Sequence, residues 1–180
     1  MHHELGHGVY DAHIAPDVPF LLREPAHILT TEGVAMMFGS ITKTPEFLKR
    51  VIQVPVADLP GYAAASRKSL SLSAEKLIFN RWAQVMFRFE KSMYEKPDQD
   101  LNALWWSLKK RYQLLSPPDD VGGADYGAKI HVVGAPVYYH NYLLGDLFAS
   151  QVYCHAVRVY LSPERPGNTC FYGNKEVVPI

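Results

Sequence analysis

The sequence predicts a mainly α-helical protein with at most a short β-hairpin. Apolar residues recur at intervals of three and four along most of the chain, which is the spacing of one face of an α-helix. Threonine, proline and glycine fall between these periodic segments, where helices begin and end. Only residues 130–133 form a short run, rich in isoleucine and valine, that is typical of a strand.

The first two predicted helices lie near the start of the chain. One is expected over residues 1–13, closed by the proline that follows shortly afterwards. A proline-containing loop comes next. The second helix is expected to begin at an N-cap provided by Thr30 or Thr31 and to run to about Gly39.

Three more helices are predicted in the middle of the chain. Thr44 followed by Pro45 combines an N-cap with a proline at the first helical position, so a helix is expected over residues 46–52. A long helix is expected over residues 73–95, opened by its serine and closed by a proline. Residues 99–114 repeat the same apolar spacing.

The last third of the chain is predicted to be less regular. Residues 117–123 form a loop by composition, and residues 130–133 are expected to be a short strand. A long final helix is expected over residues 136–161, stopped by Pro163.

Composition excludes several classes of protein. Lys plus Arg equals Asp plus Glu at 18 each, so the chain lacks the basic surplus of nucleic-acid-binding proteins. No apolar stretch is long and uncharged enough for a transmembrane segment, and the start lacks the pattern of a signal peptide. Cys154 and Cys170 are too few for a disulfide scaffold. These features predict a soluble globular protein without a nucleic-acid partner.

Residues 3–7 carry the pattern His-Glu-x-x-His, which is typical of zinc peptidases. On a helix, His3 and His7 lie one turn apart on the same face, so both can bind one metal ion through a ring nitrogen. Glu4 lies about 100° further round the helix, where it can take a proton from a metal-bound water. The same pattern also occurs by chance on helices that bind no metal, so its context decides.

A third ligand is expected from the next helix. Glu32 follows His7 by 25 residues and lies near the start of the second predicted helix, which can pack against the first. Two histidines and one carboxylate, with a position left for water, are a common ligand set of catalytic zinc. Glu24 is an alternative, although its prolines and adjacent arginine favour a loop with a local ion pair. His2 and His27 are expected to support the site or to lie at the edge of the core.

The chain resembles the M2 family of zinc peptidases, the peptidyl-dipeptidases related to angiotensin-converting enzyme, and its bacterial branch most closely. The matching blocks are residues 2–7, 31–35, 81–83, 89–91, 97–101, 105–106, 129–131, 138–142, 144–151 and 171–177. The resemblance implies a helical zincin fold of the gluzincin type. It also implies that residues 1–180 are the C-terminal part of a single peptidase domain, with further family sequence expected before the first and after the last block.

The resemblance implies a zinc centre with one Zn²⁺ per chain. His3, His7 and Glu32 match the family's zinc ligands, and Glu4 matches its general base and acid. An aspartate of the animal members, which orients a zinc histidine, is replaced by Met36, so this support must come from another residue.

A second group of residues matches the family's substrate contacts. By this match, His131 hydrogen-bonds the substrate backbone and Tyr142 stabilises the oxyanion. Lys129 and Tyr139 hold the free C-terminal carboxylate of the peptide, with Tyr138 as an alternative one residue away. Asn141 takes the position of the family's chloride-binding arginine, which argues against chloride activation.

The resemblance implies that the protein releases dipeptides from the C-termini of oligopeptides. It also implies a periplasmic or extracellular location and cooperation with an upstream part of the same domain. Two alternatives are kept: another zincin activity, as a carboxypeptidase or oligopeptidase with different recognition of the peptide end, and a fragment that binds zinc without catalysing hydrolysis.

Overall fold

The computed structural model describes residues 1–55, 57–58, 61, 70–119 and 123–160, and these residues are mainly α-helical. No strand occurs among them, so the predicted fold class is confirmed. The α-helices are α1 (His2–Ala12), α2 (Ile28–Ile41), α3 (Pro45–Arg50), α4 (Leu70–Glu95), α5 (Leu101–Gln113), α6 (Ile130–Gly134) and α7 (His140–Tyr160). Two short 3-10 helices cover Phe20–Leu22 and Asp125–Ala128. No helix of the described ranges has the length and apolar character needed to cross a membrane.

The chain divides into two compact units. The first combines residues from Met1–Leu72 and Leu144–Ile180, and the second is Ser73–Leu143. The C-terminal block 171–177, the helix stop predicted at Pro163 and Cys170 lie outside the described residues.

Close helix packing in the first unit depends on glycine. Helices α1 and α2 pack against each other, and Gly6 is buried where they meet. A Cβ atom at Gly6 would lie 2.5 Å from the Cα of Ala35, which no real structure tolerates without displacement. A Cβ at Gly33 would lie equally close, at 2.5 Å, to the ring of Phe148 on α7. The absence of these side chains therefore lets the backbone of α2 approach its neighbours.

The second unit has an aromatic core built mainly by α4 and α5. Val85, Met86 and Phe89 on α4 are completely or almost completely buried, and Trp105 on α5 packs edge-on against Phe89 with ring centroids 5.0 Å apart. Tyr139, just before α7, belongs to the same core. The periodic apolar spacing of both long helices thus corresponds to real buried faces.

Side-chain caps begin two of the helices, and the cap at Thr44 was predicted whereas the cap at Asp100 was not. The hydroxyl of Thr44 accepts a hydrogen bond from the backbone N–H of Phe47 at the start of α3. The Asp100 carboxylate accepts one from the N–H of Ala103 at the start of α5. Each contact satisfies a backbone donor that has no partner within the helix.

Helix starts elsewhere differ from the prediction. Helix α2 begins at Ile28 instead of after Thr30 or Thr31, because the Nδ1 atom of His27 accepts the N–H of Leu29 and acts as N-cap. Helix α4 begins at Leu70, before the predicted serine.

The predicted strand at residues 130–133 is wrong. These residues lie in α6, where the N–H of Val132 donates to the Lys129 carbonyl at 2.9 Å. Isoleucine and valine favour strands only where a neighbouring strand pairs with them, and the described residues provide none. The final helix begins at His140 and not at 136, because Val137 has a φ of 55°, which a helix does not accommodate.

Candidate active site

Three side chains of the first unit converge on one point. His3 and His7 lie one turn apart on α1, with ring centroids 4.9 Å apart and nearly perpendicular planes. The Oε2 atom of Glu32 on α2 lies 3.5 Å from the Nε2 of His3 and 3.9 Å from the Nε2 of His7. Of the residues described, these form the group of His, Cys, Asp and Glu side chains able to hold a metal ion, with all ligand atoms within 4.8 Å of one another.

The spacing of these atoms suits a tetrahedral ion. Zinc bonds to nitrogen and oxygen of about 2.0–2.2 Å place two tetrahedral ligand atoms about 3.3 Å apart. The two measured separations from the Glu32 oxygen, 3.5 and 3.9 Å, differ from this by less than 1 Å. The Glu32 oxygen thus lies near the distance from each histidine nitrogen that a shared ion requires, and all the ligand atoms lie within 4.8 Å of one another.

The local fold explains why Glu32 reaches this point. Glu32 is only 3% exposed, and it lies one turn before Ala35, where α2 touches Gly6 of α1. On the other side, a Cβ at Gly145 of α7 would lie 3.2 Å from the Cβ of Glu32. A buried carboxylate needs compensating partners, and two imidazoles face it here.

His7 has a further contact through its second ring nitrogen. Its Nδ1 lies 2.7 Å from the hydroxyl oxygen of Thr31, the residue just before Glu32. Thr31 was predicted only to be a possible N-cap. Met36, at the position of the animal members' aspartate, is a thioether and accepts hydrogen bonds weakly.

The remaining predicted residues of α1 and its surroundings take different positions. Glu4 is exposed on α1, between the two histidines in sequence. His2 packs edge-on against Phe47 with ring centroids 5.3 Å apart, and thus lies at the edge of a small core cluster. His27 caps α2.

Glu24 does not join the metal-binding group. It is exposed in the loop before α2. The neighbouring Arg23 was expected to form a local ion pair, but its guanidinium donates to the carbonyl oxygens of Pro16 at 2.6 Å and Val18 at 2.7 Å. These two hydrogen bonds connect Arg23 to other residues of the same loop.

The other predicted site residues cluster within the second unit. His131 Nε2 and the Tyr142 hydroxyl are 3.2 Å apart. The Lys129 ammonium lies 5.4 Å from the ring centroid of Tyr139. The rings of His131 and Tyr139 are in edge contact, with centroids 5.0 Å apart. The structure thus brings together four residues that the sequence places up to 13 positions apart.

Trp82 on α4 completes this cluster and had no predicted role. Its indole N–H donates to the hydroxyl oxygen of Tyr139 at 2.6 Å, and its ring centroid lies 5.6 Å from the Lys129 ammonium. Burial raises the pKa of the Tyr139 phenol, while the hydrogen bond from Trp82 acts in the opposite direction. The only signal in the sequence was its place in the matching block 81–83.

Tyr138 also approaches His131, with ring centroids 6.1 Å apart. It is half-buried, whereas Tyr139 is 6% exposed. The choice between these two tyrosines for substrate binding stays a prediction. Asn141, in the position of the family's arginine, is buried.

Comparison with known proteins shows the family of the chain. The family model described as "Angiotensin-converting enzyme", Peptidase_M2, matches residues 1–177. The angiotensin-converting enzyme of Oryctolagus cuniculus is 26% identical over 98% of the chain, and that of Rattus norvegicus is 26% identical over 83%. The enzyme of Sus scrofa is 26% identical over 76%.

The chain spans only a small part of these relatives: 14% of the rabbit protein, 12% of the rat protein and 11% of the pig protein. No solved structure shows a significant match. Because the family model covers almost the entire chain, the protein belongs to the M2 peptidase family of angiotensin-converting enzyme.

Proposed function

We propose that this chain carries the zinc centre and substrate-binding residues of a peptidase that releases dipeptides from the C-termini of oligopeptides. The convergence of His3, His7 and Glu32 is the observation that supports it most directly. Membership of the M2 family and 26% identity to angiotensin-converting enzymes support a zinc peptidase in general.

The first unit would supply the hydrolytic step. His3 and His7 would bind one Zn²⁺ through Nε2, and Glu32 through its carboxylate. Zinc, when bound, polarises the scissile carbonyl and lowers the pKa of a bound water to about 7. Glu4 is exposed and separate from the three ligands, so it is free to accept the proton of the attacking water. It would then give that proton to the leaving amine.

Two residues of the second unit would act on the peptide. The Tyr142 hydroxyl would donate a hydrogen bond to the developing oxyanion. His131, 3.2 Å from that hydroxyl, would orient it and hydrogen-bond the substrate backbone. Removing one oxyanion donor typically lowers kcat about 10²–10³-fold, which sets the effect expected for Tyr142.

Recognition of the peptide end would depend on Lys129 and Tyr139. An ammonium and a phenol together bind a carboxylate through charge-assisted hydrogen bonds. Burial raises the pKa of Tyr139, so its hydroxyl keeps the proton that it must donate. Trp82 occupies the acceptor side of that hydroxyl, which leaves its proton available to the ligand. Anchoring the free C-terminus would fix how far from the end the peptide is cut.

We further propose that residues 1–180 are the C-terminal part of a single peptidase domain of bacterial type, acting with an upstream part of that domain outside the cytoplasm. The support is that one family model covers residues 1–177, while the chain spans 14% or less of its mammalian relatives. Chloride activation is not proposed, because Asn141 replaces the family's arginine.

The test compares an N-blocked tripeptide with its C-terminal amide. We expect zinc-dependent release of the dipeptide from the free acid and at least tenfold slower cleavage of the amide. Equal cleavage of both would overturn end recognition and favour an oligopeptidase, and release of single residues would favour a carboxypeptidase. Zinc binding without cleavage of either would favour the non-catalytic alternative.

A further inference from the structure

We propose that Thr31 is a positioning residue for the metal centre, because its hydroxyl fixes the tautomer and the ring orientation of His7. This inference rests on the proposed zinc site. It assigns to Thr31 a role that the choice of ligands does not require.

The two nitrogens of His7 face different partners. Nδ1 lies 2.7 Å from the Thr31 hydroxyl oxygen, and Nε2 lies 3.9 Å from the Glu32 carboxylate. A neutral imidazole carries one proton, and the nitrogen without it holds the lone pair that binds a metal. If Nδ1–H donates to Thr31, the lone pair is left on Nε2, on the side of Glu32.

The position of Thr31 in the fold makes this contact specific. Thr31 and Glu32 are adjacent on α2, so one turn of helix carries both a metal ligand and the group that orients another ligand. The register between α1 and α2 is fixed close by, where Gly6 touches Ala35. The hydrogen bond is partly buried, so competition from water is reduced.

A purely structural role for Thr31 makes the opposite prediction. Thr31 is half-buried and β-branched, so a packing role would depend on its methyl group and not on its hydroxyl. Thr31→Val keeps the shape and removes the hydroxyl, whereas Thr31→Ser keeps the hydroxyl and removes the methyl. A positioning role predicts that the valine variant is impaired, and a packing role predicts that the serine variant is.

Thr30 provides a matched control on the same helix. Its hydroxyl donates to the His27 carbonyl at 2.7 Å and lies 3.1 Å from the Tyr10 hydroxyl. It contacts none of the three proposed ligands through these bonds. Thr30→Val therefore makes the same chemical change one residue away.

The experiment measures the zinc affinity of the full chain by competition with a chromogenic chelator. We expect Thr31→Val to weaken zinc binding about 10–100-fold, the usual effect of losing a group that orients a metal-bound histidine. Thr31→Ser and Thr30→Val should stay within about threefold of the wild type, on the same scale. The absorption bands of bound Co²⁺ should change in Thr31→Val and not in the other two.

Equal affinity of Thr31→Val and the wild type would overturn the inference and leave the proposed zinc site intact. Equal weakening of the valine and serine variants would also overturn it. A wild-type protein that binds no zinc would overturn both. Should Thr31→Val fail to fold, long-range ¹H–¹⁵N spectra of the zinc-loaded wild type decide: a proton on Nδ1 of His7 supports the inference, and metal on Nδ1 overturns it.

Discussion

The indole N–H of Trp82 donates a hydrogen bond to the hydroxyl oxygen of Tyr139 at 2.6 Å. Because this bond occupies the acceptor side of the phenol, it directs the Tyr139 proton towards another partner. Trp82 also lies 5.6 Å from the Lys129 ammonium, measured to its ring centroid. One residue of α4 therefore contacts both groups proposed to bind the peptide carboxylate.

Replacing Trp82 by phenylalanine should weaken recognition of the peptide end. Without Trp82 the Tyr139 proton is no longer directed to the carboxylate, and losing one hydrogen bond to the ligand, about 1 kcal/mol, predicts a rise in KM of about fivefold for substrates with a free carboxylate, with little change in kcat. Steady-state kinetics on the free acid and on the C-terminal amide provide the measurement. The amide, which lacks the charged group, should be affected less.

Trp106→Phe is the matched control for this change. Trp106 is partly buried against the same core cluster, and the bonds and ring contacts of Tyr139 do not involve it. If both tryptophan variants raise KM equally, the effect comes from the packing of the core and not from the Trp82–Tyr139 hydrogen bond.

Glu4→Gln should abolish hydrolysis without releasing zinc. The amide cannot accept the proton of the attacking water, and general-base catalysis typically contributes about 10²–10⁴-fold to the rate. Glu4 is exposed and lies outside the group of metal ligands, so zinc content by elemental analysis should equal that of the wild type. Asp11→Asn, at another exposed carboxylate of α1, is the control and should retain full activity. Residual activity of Glu4→Gln near that of Asp11→Asn would contradict the assignment.

Glu32→Gln and Glu24→Gln together should identify the third ligand. The Glu32 carboxylate is buried within 4 Å of both histidines, whereas Glu24 is exposed in a loop. We expect Glu32→Gln to lower zinc affinity at least about 100-fold, because a neutral amide replaces an anionic ligand of zinc. Glu24→Gln should bind zinc as the wild type does. Isothermal titration of the metal-free proteins measures both, and the reverse result would make Glu24 the ligand.

The sequence predicted that His3, His7 and Glu32 lie together because their geometry is local. The i, i+4 spacing of His3 and His7 fixes their common face once α1 forms, and Glu32 required only that the next helix pack against it. The start of α3 was equally local, since Thr44 caps a helix that begins at the next residue. Short-range rules were sufficient in each case.

What the sequence did not reveal depends on contacts between distant residues. Trp82 is 57 positions from Tyr139, and Thr31 is 24 positions from His7, so neither bond has a pattern in the sequence. The positive φ of Val137, which makes the final helix shorter than predicted, also depends on a distant contact. Its N–H donates to the buried carboxylate of Glu90, 47 positions away.

Gly6 should be the residue of α1 least tolerant of a methyl group. In Gly6→Ala the new Cβ would lie 2.5 Å from the Ala35 Cα, and a backbone atom cannot move aside as a flexible side chain can. We expect the free energy of unfolding to fall by about 1–3 kcal/mol, the usual cost of overpacking. Because displacing α1 from α2 also separates His3 and His7 from Glu32, zinc affinity should fall too. Urea unfolding and zinc titration measure the two effects.

Gly8→Ala separates packing from helix propensity in the same helix. A Cβ at Gly8 would meet no atom within 4 Å, so the added methyl costs no contact. Alanine favours a helix over glycine by about 1 kcal/mol, so this variant should be slightly more stable than the wild type and should bind zinc equally well. If Gly6→Ala behaved like Gly8→Ala, the close approach of α1 and α2 would not be what brings the three metal-binding side chains together. If instead Gly6→Ala lowers the free energy of unfolding and Gly8→Ala raises it, the contact between α1 and α2 maintains the arrangement of the three metal-binding side chains.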